Sequence, residues 1–229
     1  MSTIILGSTG LVGLQIVKYA EKATLIEKIV TVSRRLPSIT SPKINAIEEK
    51  DSDKWSEIIE NETGTKIFFS AFGTTRSDAG SAENFKRIDY GINYAAAKAA
   101  KKAGVETFVL ISTTGANANS FFLYPKCKGQ LENDIIALEF PRTIIMRPGV
   151  LLGDREKPKD MLNKAFVGYA RHFHQSRFAS LAMNPVYGYE VAQVAVNLSL
   201  EPLPQKKEVK IVEAAEICAI AKTLANEAK

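Results

Sequence analysis

An apolar run, Ile4-Ile5-Leu6, leads directly into Gly7-Ser8-Thr9-Gly10-Leu11-Val12-Gly13, and Val12, Ile16 and Ala20 continue at i, i+4, i+8 spacing. No other stretch limits the fold so strongly. It reads as strand, glycine turn and helix, the setting in which a glycine pattern marks a candidate dinucleotide site. Gly7 lets the chain leave the strand by a tight turn. Gly10 lets backbone N–H groups approach a pyrophosphate with no Cβ in the way, and Gly13 lets the helix pack closely. The helix N-terminus then faces the negative charge. The spacing is G-x-x-G-x-x-G, one residue longer between its first two glycines than the usual pattern. A tight turn without a ligand is the alternative.

The rest of the chain repeats the strand-then-helix order. Strands are expected at Lys28–Ser33, Lys43–Glu48, Lys66–Phe72, Thr107–Ser112, Arg142–Pro148 and Glu208–Val212. Helices are expected after Asp51, from Asn84 to Ala103, from Tyr124 to about Glu139, through Val191 to Leu198, and at the end through Ile217 to Leu224. Ser77–Glu83 reads as a polar loop, Trp55 as core and Gly104 as a helix C-cap. This alternation predicts an α/β fold, a Rossmann-like doubly wound parallel sheet. A single domain over residues 1–229 is the economical division. Asp154–Pro185 breaks the pattern, with a helix expected near Lys159–Tyr169, and reads as a lid or substrate-binding excursion.

Composition narrows the function classes. The chain is 45% hydrophobic and 24% charged, which excludes a disordered protein. No run approaches 18 apolar residues, so no membrane-spanning helix is expected. The net charge of +5 suits an anionic ligand or surface. No basic block or basic–aromatic interleaving argues for nucleic acid. Cys127 and Cys218 form no framework, and they fit structural roles in a reducing compartment. His172 and His174 fall in the irregular segment at no metal-ligand spacing, either touching substrate or simply packing. The first strand begins at once, leaving no room for a cleaved leader. A place on the cytosolic side is therefore expected, with peripheral membrane contact open.

Arg34 and Arg35 stand at the carboxyl end of the second strand, where an NAD site would carry an acidic residue for the ribose 2′-hydroxyl. Together with Ser33 they offer charge and donors to a 2′-phosphate, so NADP(H) is the expected cofactor. Solvated surface arginines are the alternative. Asp51, at another strand end, is placed either to accept from the adenine amino group or to cap a helix. Ala71, Gly73, Thr74 and Thr75 supply small residues beside the cofactor, after the fourth strand.

Ser112, Tyr124 and Lys128 form a chemical set. A phenol titrates near 10 unless a nearby cation favours the phenolate. A lysine four residues on lies on the same helix face. A serine at the end of the fifth strand can bind the same carbonyl oxygen. Asn93, polar in mid-helix, is either a buried network residue or exposed.

With these residues the chain resembles the short-chain dehydrogenase/reductase superfamily, in its atypical and extended branch, over about residues 1–153. Three stretches are similar to two related groups, the fungal found-in-mitochondrial-proteome group and the animal Tat-interacting oxidoreductase-like group. They are Ser70–Arg76, Ile111–Ala116 and Arg147-Pro148-Gly149-Val150-Leu151-Leu152-Gly153. Pro185–Ala192 extends that match. The resemblance implies Ser112 and Tyr124 at a substrate carbonyl, Lys128 on the nicotinamide ribose and Asn93 in the supporting network. It places Arg147 and Pro148 beside the cofactor. It further implies NADP(H), reduction of a small carbonyl substrate, and for fungal members a peripheral place on the mitochondrial outer membrane. An NADP(H)-binding regulatory or redox-sensing protein acting through a protein partner without turnover is the competing reading, and a protein partner or a homodimer is open.

Overall fold

The computed structural model describes residues 1–153, 167–176 and 178–227. Seven parallel strands form one sheet: β1 (Ser2–Leu6), β2 (Lys28–Ser33), β3 (Ile44–Glu48), β4 (Thr65–Ser70), β5 (Thr107–Ile111), β6 (Arg142–Arg147) and, after the two short strands given below, β9 (Glu208–Glu213). Their order is β3-β2-β1-β4-β5-β6-β9. The doubly wound parallel fold read from the alternation is the one found. Strand order reverses between β1 and β4, and the Ala71 N–H donates to the Leu6 carbonyl there at 2.9 Å. In open α/β sheets such a switch point opens a crevice at the strands' carboxyl ends.

Strand periodicity sends successive side chains to opposite faces. Ile4 and Leu6, Phe68, and Phe108 and Leu110 join α2 (Trp55–Asn61), α5 (Asn93–Lys102) and α6 (Leu123–Ala137) in one buried cluster. Ile5, Phe69, Val109 and Ile144 pack on the other face, against α1 (Gly13–Lys22), α7 (Gly188–Ser199) and α8 (Ala214–Glu227). Burying each large apolar side chain contributes about 1.5–3 kcal/mol. Trp55 is in the core, as expected, and its indole N–H donates to the Glu49 carbonyl at 2.9 Å. Gly104 follows α5 with φ +83°, where an L side chain is strained.

Two expectations change. Ser77–Glu83 is not a loop throughout: it contributes to α3 (Arg76–Ala79) and α4 (Ala82–Lys86). The Thr75 hydroxyl caps α3 by accepting from the Asp78 N–H, and the Ser81 hydroxyl caps α4 by accepting from the Asn84 N–H. Such caps satisfy amides that a helix start would leave unpaired. The helix expected from Asn84 to Ala103 is also interrupted, by a π-helical turn over Arg87–Ile92. The Asn93 side-chain amide donates to the Ile88 and Asp89 carbonyls and to that of Phe72, at 3.1–3.2 Å. A side chain inserted into the backbone ladder in this way widens the helix locally.

Two short strands, β7 (Leu151–Leu152) and β8 (Val186–Tyr187), pair beyond β6. The helix expected near Lys159–Tyr169 falls mostly outside the described residues; 167–171 are helical.

Candidate active site

Gly7 turns the chain out of β1 with φ +85°, and a Cβ there would stand 2.7 Å from the Ala71 backbone. At Gly13 a Cβ would meet the Gly7 carbonyl oxygen at 2.1 Å, so the start of α1 lies against the turn itself. Gly10 is different. Its nearest obstacle is the Gly7 oxygen at 3.3 Å, and the residue is exposed. No side chain caps α1; the Leu14 N–H donates to the Gly10 carbonyl at 2.9 Å, and the positive end of the helix dipole faces the turn.

This turn forms one wall of a cavity of about 820 Å³. Of the residues singled out from the sequence, Gly7, Thr9, Gly10, Leu11, Ser33, Arg34, Arg35, Gly73 and Thr74 line it. Lys50 and Arg87 add two cations that sequence reasoning missed, against one lining carboxylate, Asp78. The volume, the exposed glycine edge and the cations fit a phosphorylated dinucleotide.

Other expected cofactor residues sit behind this wall. Ser8 is buried with its hydroxyl 3.3 Å from that of Ser33, and Ser33 donates to the Arg35 carbonyl at 2.6 Å. The Ser33 proton thus shapes the arginine turn. Val12 is core, and Ala71 packs against the same cluster. Asp51 caps the 3-10 turn Ser52–Lys54 by accepting from the Asp53 N–H. Thr75 is engaged at the cap of α3.

The chemical set lies past Gly73. Pro125 falls within the first turn of α6, where a missing N–H costs little. Tyr124 therefore stands at the helix start and is 41% exposed, its ring 5.8 Å from that of Phe85. Lys128 is buried, and its Nζ is 2.9 Å from Asp89 Oδ1. Burial pushes the Lys128 ammonium down. The Asp89 carboxylate and Tyr124 outweigh burial and hold it above the usual lysine range. Ser112 is buried, and its hydroxyl donates to Glu132 Oε1. Glu132 is gripped at both oxygens by Arg147, through Nε at 3.1 Å and Nη2 at 2.6 Å. Arg147 also reaches Glu213 at 2.7 Å, while the Pro148 carbonyl accepts from the Thr114 N–H at 2.9 Å.

The structure thus brings Lys128 against Asp89, four residues before Asn93. Asn93 is a buried network residue: beyond the carbonyls it holds, its Oδ1 accepts from Ser70 at 2.6 Å. Asp89 and Glu132 were missed. Their signals were available: Asp89 shares a helix face with Asn93, and Glu132 continues the Tyr124, Lys128 series by four more residues.

Both cysteines are free, Cys127 buried and Cys218 partly so. Burial pushes both thiols up, that of Cys218 to about 11. The His172 ring nitrogen lies 3.1 Å from the Gly168 carbonyl, and His174 lies 2.8 Å from the buried Glu190. No group of side chains suited to a metal ion occurs among the described residues.

Against known proteins, residues 7–169 match the NAD(P)H-binding family model. Protein FMP52-1, mitochondrial, of Scheffersomyces stipitis is 60% identical over 98% of this chain and 100% of its own length. Protein FMP52, mitochondrial, of Saccharomyces cerevisiae is 39% identical over 98% of each. Among solved structures, MoeE5 in complex with UDP-glucose and NAD has a TM-score of 0.68 at 14% identity, covering 99% of this chain and 82% of that one. The UDP-glucose 4-epimerase of Thermotoga maritima has a TM-score of 0.65 at 16% identity, over 100% and 84%. At these identities the likeness is one of fold.

Proposed function

The chain belongs to the NAD(P)H-binding family of short-chain dehydrogenase/reductase type and, within it, to the fungal FMP52 proteins, and on that premise we propose that it is an NADPH-dependent reductase of a small carbonyl substrate. One observation carries the reading: Gly73 joins the cation-lined cavity to the Tyr124–Lys128 set. It lines the cavity, and a Cβ on it would stand 3.5 Å from Lys128 Nζ. A dinucleotide laid from Arg34 and Arg35 past Gly10 would end at the catalytic groups.

NADPH, when bound there, would supply the hydride. Tyr124 gives its phenolic proton to the carbonyl oxygen, and the Lys128 ammonium stabilises the phenolate left behind. Ser112 holds that oxygen by turning its hydroxyl off Glu132, which Arg147 keeps charge-compensated. The preference for NADPH over NADH rests on Arg34 and Arg35.

The test is a titration of the purified protein with both nucleotides, followed by a panel of aldehydes and ketones in which NADPH consumption is read. Turnover supports the reading. Tight binding without turnover across the panel replaces it with a nucleotide-gated regulatory protein. The mitochondrial names of the relatives support a mitochondrial location. The reading places the protein peripherally on the outer membrane, and no described helix is long and apolar enough to cross it. Alkaline extraction of isolated mitochondria checks this: the protein should leave with the soluble fraction.

A further inference from the structure

Lys128 is the cation on which the proposed proton transfer depends, and it does not face the site alone. Asp89 lies behind it on the π-helical turn, both side chains buried, with 2.9 Å between Nζ and Oδ1. No other donor among the described residues reaches that oxygen. The second carboxylate oxygen accepts from the Thr74 N–H at 2.8 Å, so Asp89 also holds the strap that lines the cavity. A Cβ on Gly73 would stand 3.0 Å from Oδ1, tighter than an ordinary van der Waals contact, so the glycine eases the close approach of strap and carboxylate. The π turn that aims Asp89 inward is kept open by Asn93, whose amide donates to the Asp89 carbonyl. Isolated π turns recur at functional sites because they redirect single side chains.

We propose that Asp89 is the positioning residue of this site: its carboxylate fixes the Lys128 ammonium at the cavity wall and keeps the Tyr124–Lys128 pair fully protonated, the state from which a reduction draws its proton. This rests on the reductase reading above and adds a direction to it. A lysine with no counter-charge favours phenolate, the form that accepts a proton in oxidation. A lysine paired with a carboxylate favours phenolate less strongly, so the proton is kept for donation while the ammonium still stabilises the phenolate formed in the step.

The charged and titratable groups facing Lys128 are Asp89 from the π turn and Tyr124 and Cys127 from α6; Lys86 of α4 acts on Cys127. Asp89 is the one carboxyl group in this set. Removing it lowers the pH at which the pair releases its first proton, whichever partner loses it.

The experiment compares wild type, Asp89→Asn and Asp89→Glu. NADPH affinity is measured against pH without substrate, and turnover is measured against pH on any carbonyl found. In Asp89→Asn the alkaline limb of both profiles is expected to move down by about 1 pH unit or more, while Asp89→Glu stays near wild type. An unmoved limb in a folded Asp89→Asn protein overturns the proposal. If no carbonyl is turned over, the reductase reading fails and the affinity profile still decides the role of Asp89. If Asp89→Asn does not fold, or NADPH does not bind, 15N-lysine NMR of the wild type decides, with Lys128→Met assigning the signal. An exchange-protected ammonium at Lys128 through the alkaline range supports the pair, and a neutral Lys128 at neutral pH overturns it.

Discussion

The three glycines of the turn make different demands, and Gly10→Val separates binding from folding. A Cβ at Gly10 meets the Gly7 oxygen at 3.3 Å, a contact that a few tenths of an ångström relieves. The folded state should lose about 1 kcal/mol or less. The two methyls of valine would fill the exposed edge where the phosphates are expected to lie. Charge-assisted phosphate hydrogen bonds contribute about 1.5–3 kcal/mol each, so losing two weakens NADPH about 100-fold or more. Gly13→Ala does the reverse. Its Cβ would stand 2.1 Å from the Gly7 oxygen and 2.7 Å from the Gly7 carbonyl carbon, both backbone atoms that cannot swing aside. Overpacking of that kind costs about 3 kcal/mol or more, which lowers Tm by about 6–12 °C in a domain of this size. Calorimetry and nucleotide titration on both variants check the pair. Full NADPH affinity in Gly10→Val would refute the reasoning, because the turn would then not carry phosphate. An unchanged melt in Gly13→Ala would refute the close approach.

Arg34→Ala combined with Arg35→Ala should weaken NADPH more than tenfold and NADH little; equal losses in parallel titrations would remove the phosphate assignment. Tyr124→Phe should lower kcat by about 10²–10⁴ with NADPH affinity held, and wild-type turnover would show that the proton comes from elsewhere. Arg142 is buried and donates to the carbonyls of Glu201 and Pro202 as well as to Glu208. Arg142→Met should therefore cost about 2–3 kcal/mol of stability in a denaturant melt, without altering cofactor affinity.

The sheet was legible because its signals are local. Ile4-Ile5-Leu6 and Thr107–Ile111 are short apolar runs bounded by turn residues, and a strand buried on both faces can hardly read otherwise. The glycine turn, the arginine pair and the i, i+4 spacing of Tyr124 and Lys128 are local as well. Thr75 and Ser81, which begin α3 and α4, carried capping signals within a stretch polar enough to read as loop. Asn93 was legible as polar in mid-helix, but the π turn it opens was not, since that turn exists only where the amide finds the Phe72, Ile88 and Asp89 carbonyls together.

By itself, then, the sequence determined the strand–helix alternation, the glycine turn and the identity of the serine, tyrosine and lysine. Tertiary structure alone decided their electrostatic partners. Asp89 reaches Lys128 from another helix, Glu132 reaches Ser112 across 20 residues of chain, and Arg147 closes on Glu132 from the end of β6. A buried charge must find a counter-charge within a few ångströms, because the interior screens it so poorly. Which group meets it depends on how helices pack across the sheet, and no periodicity along the chain records that.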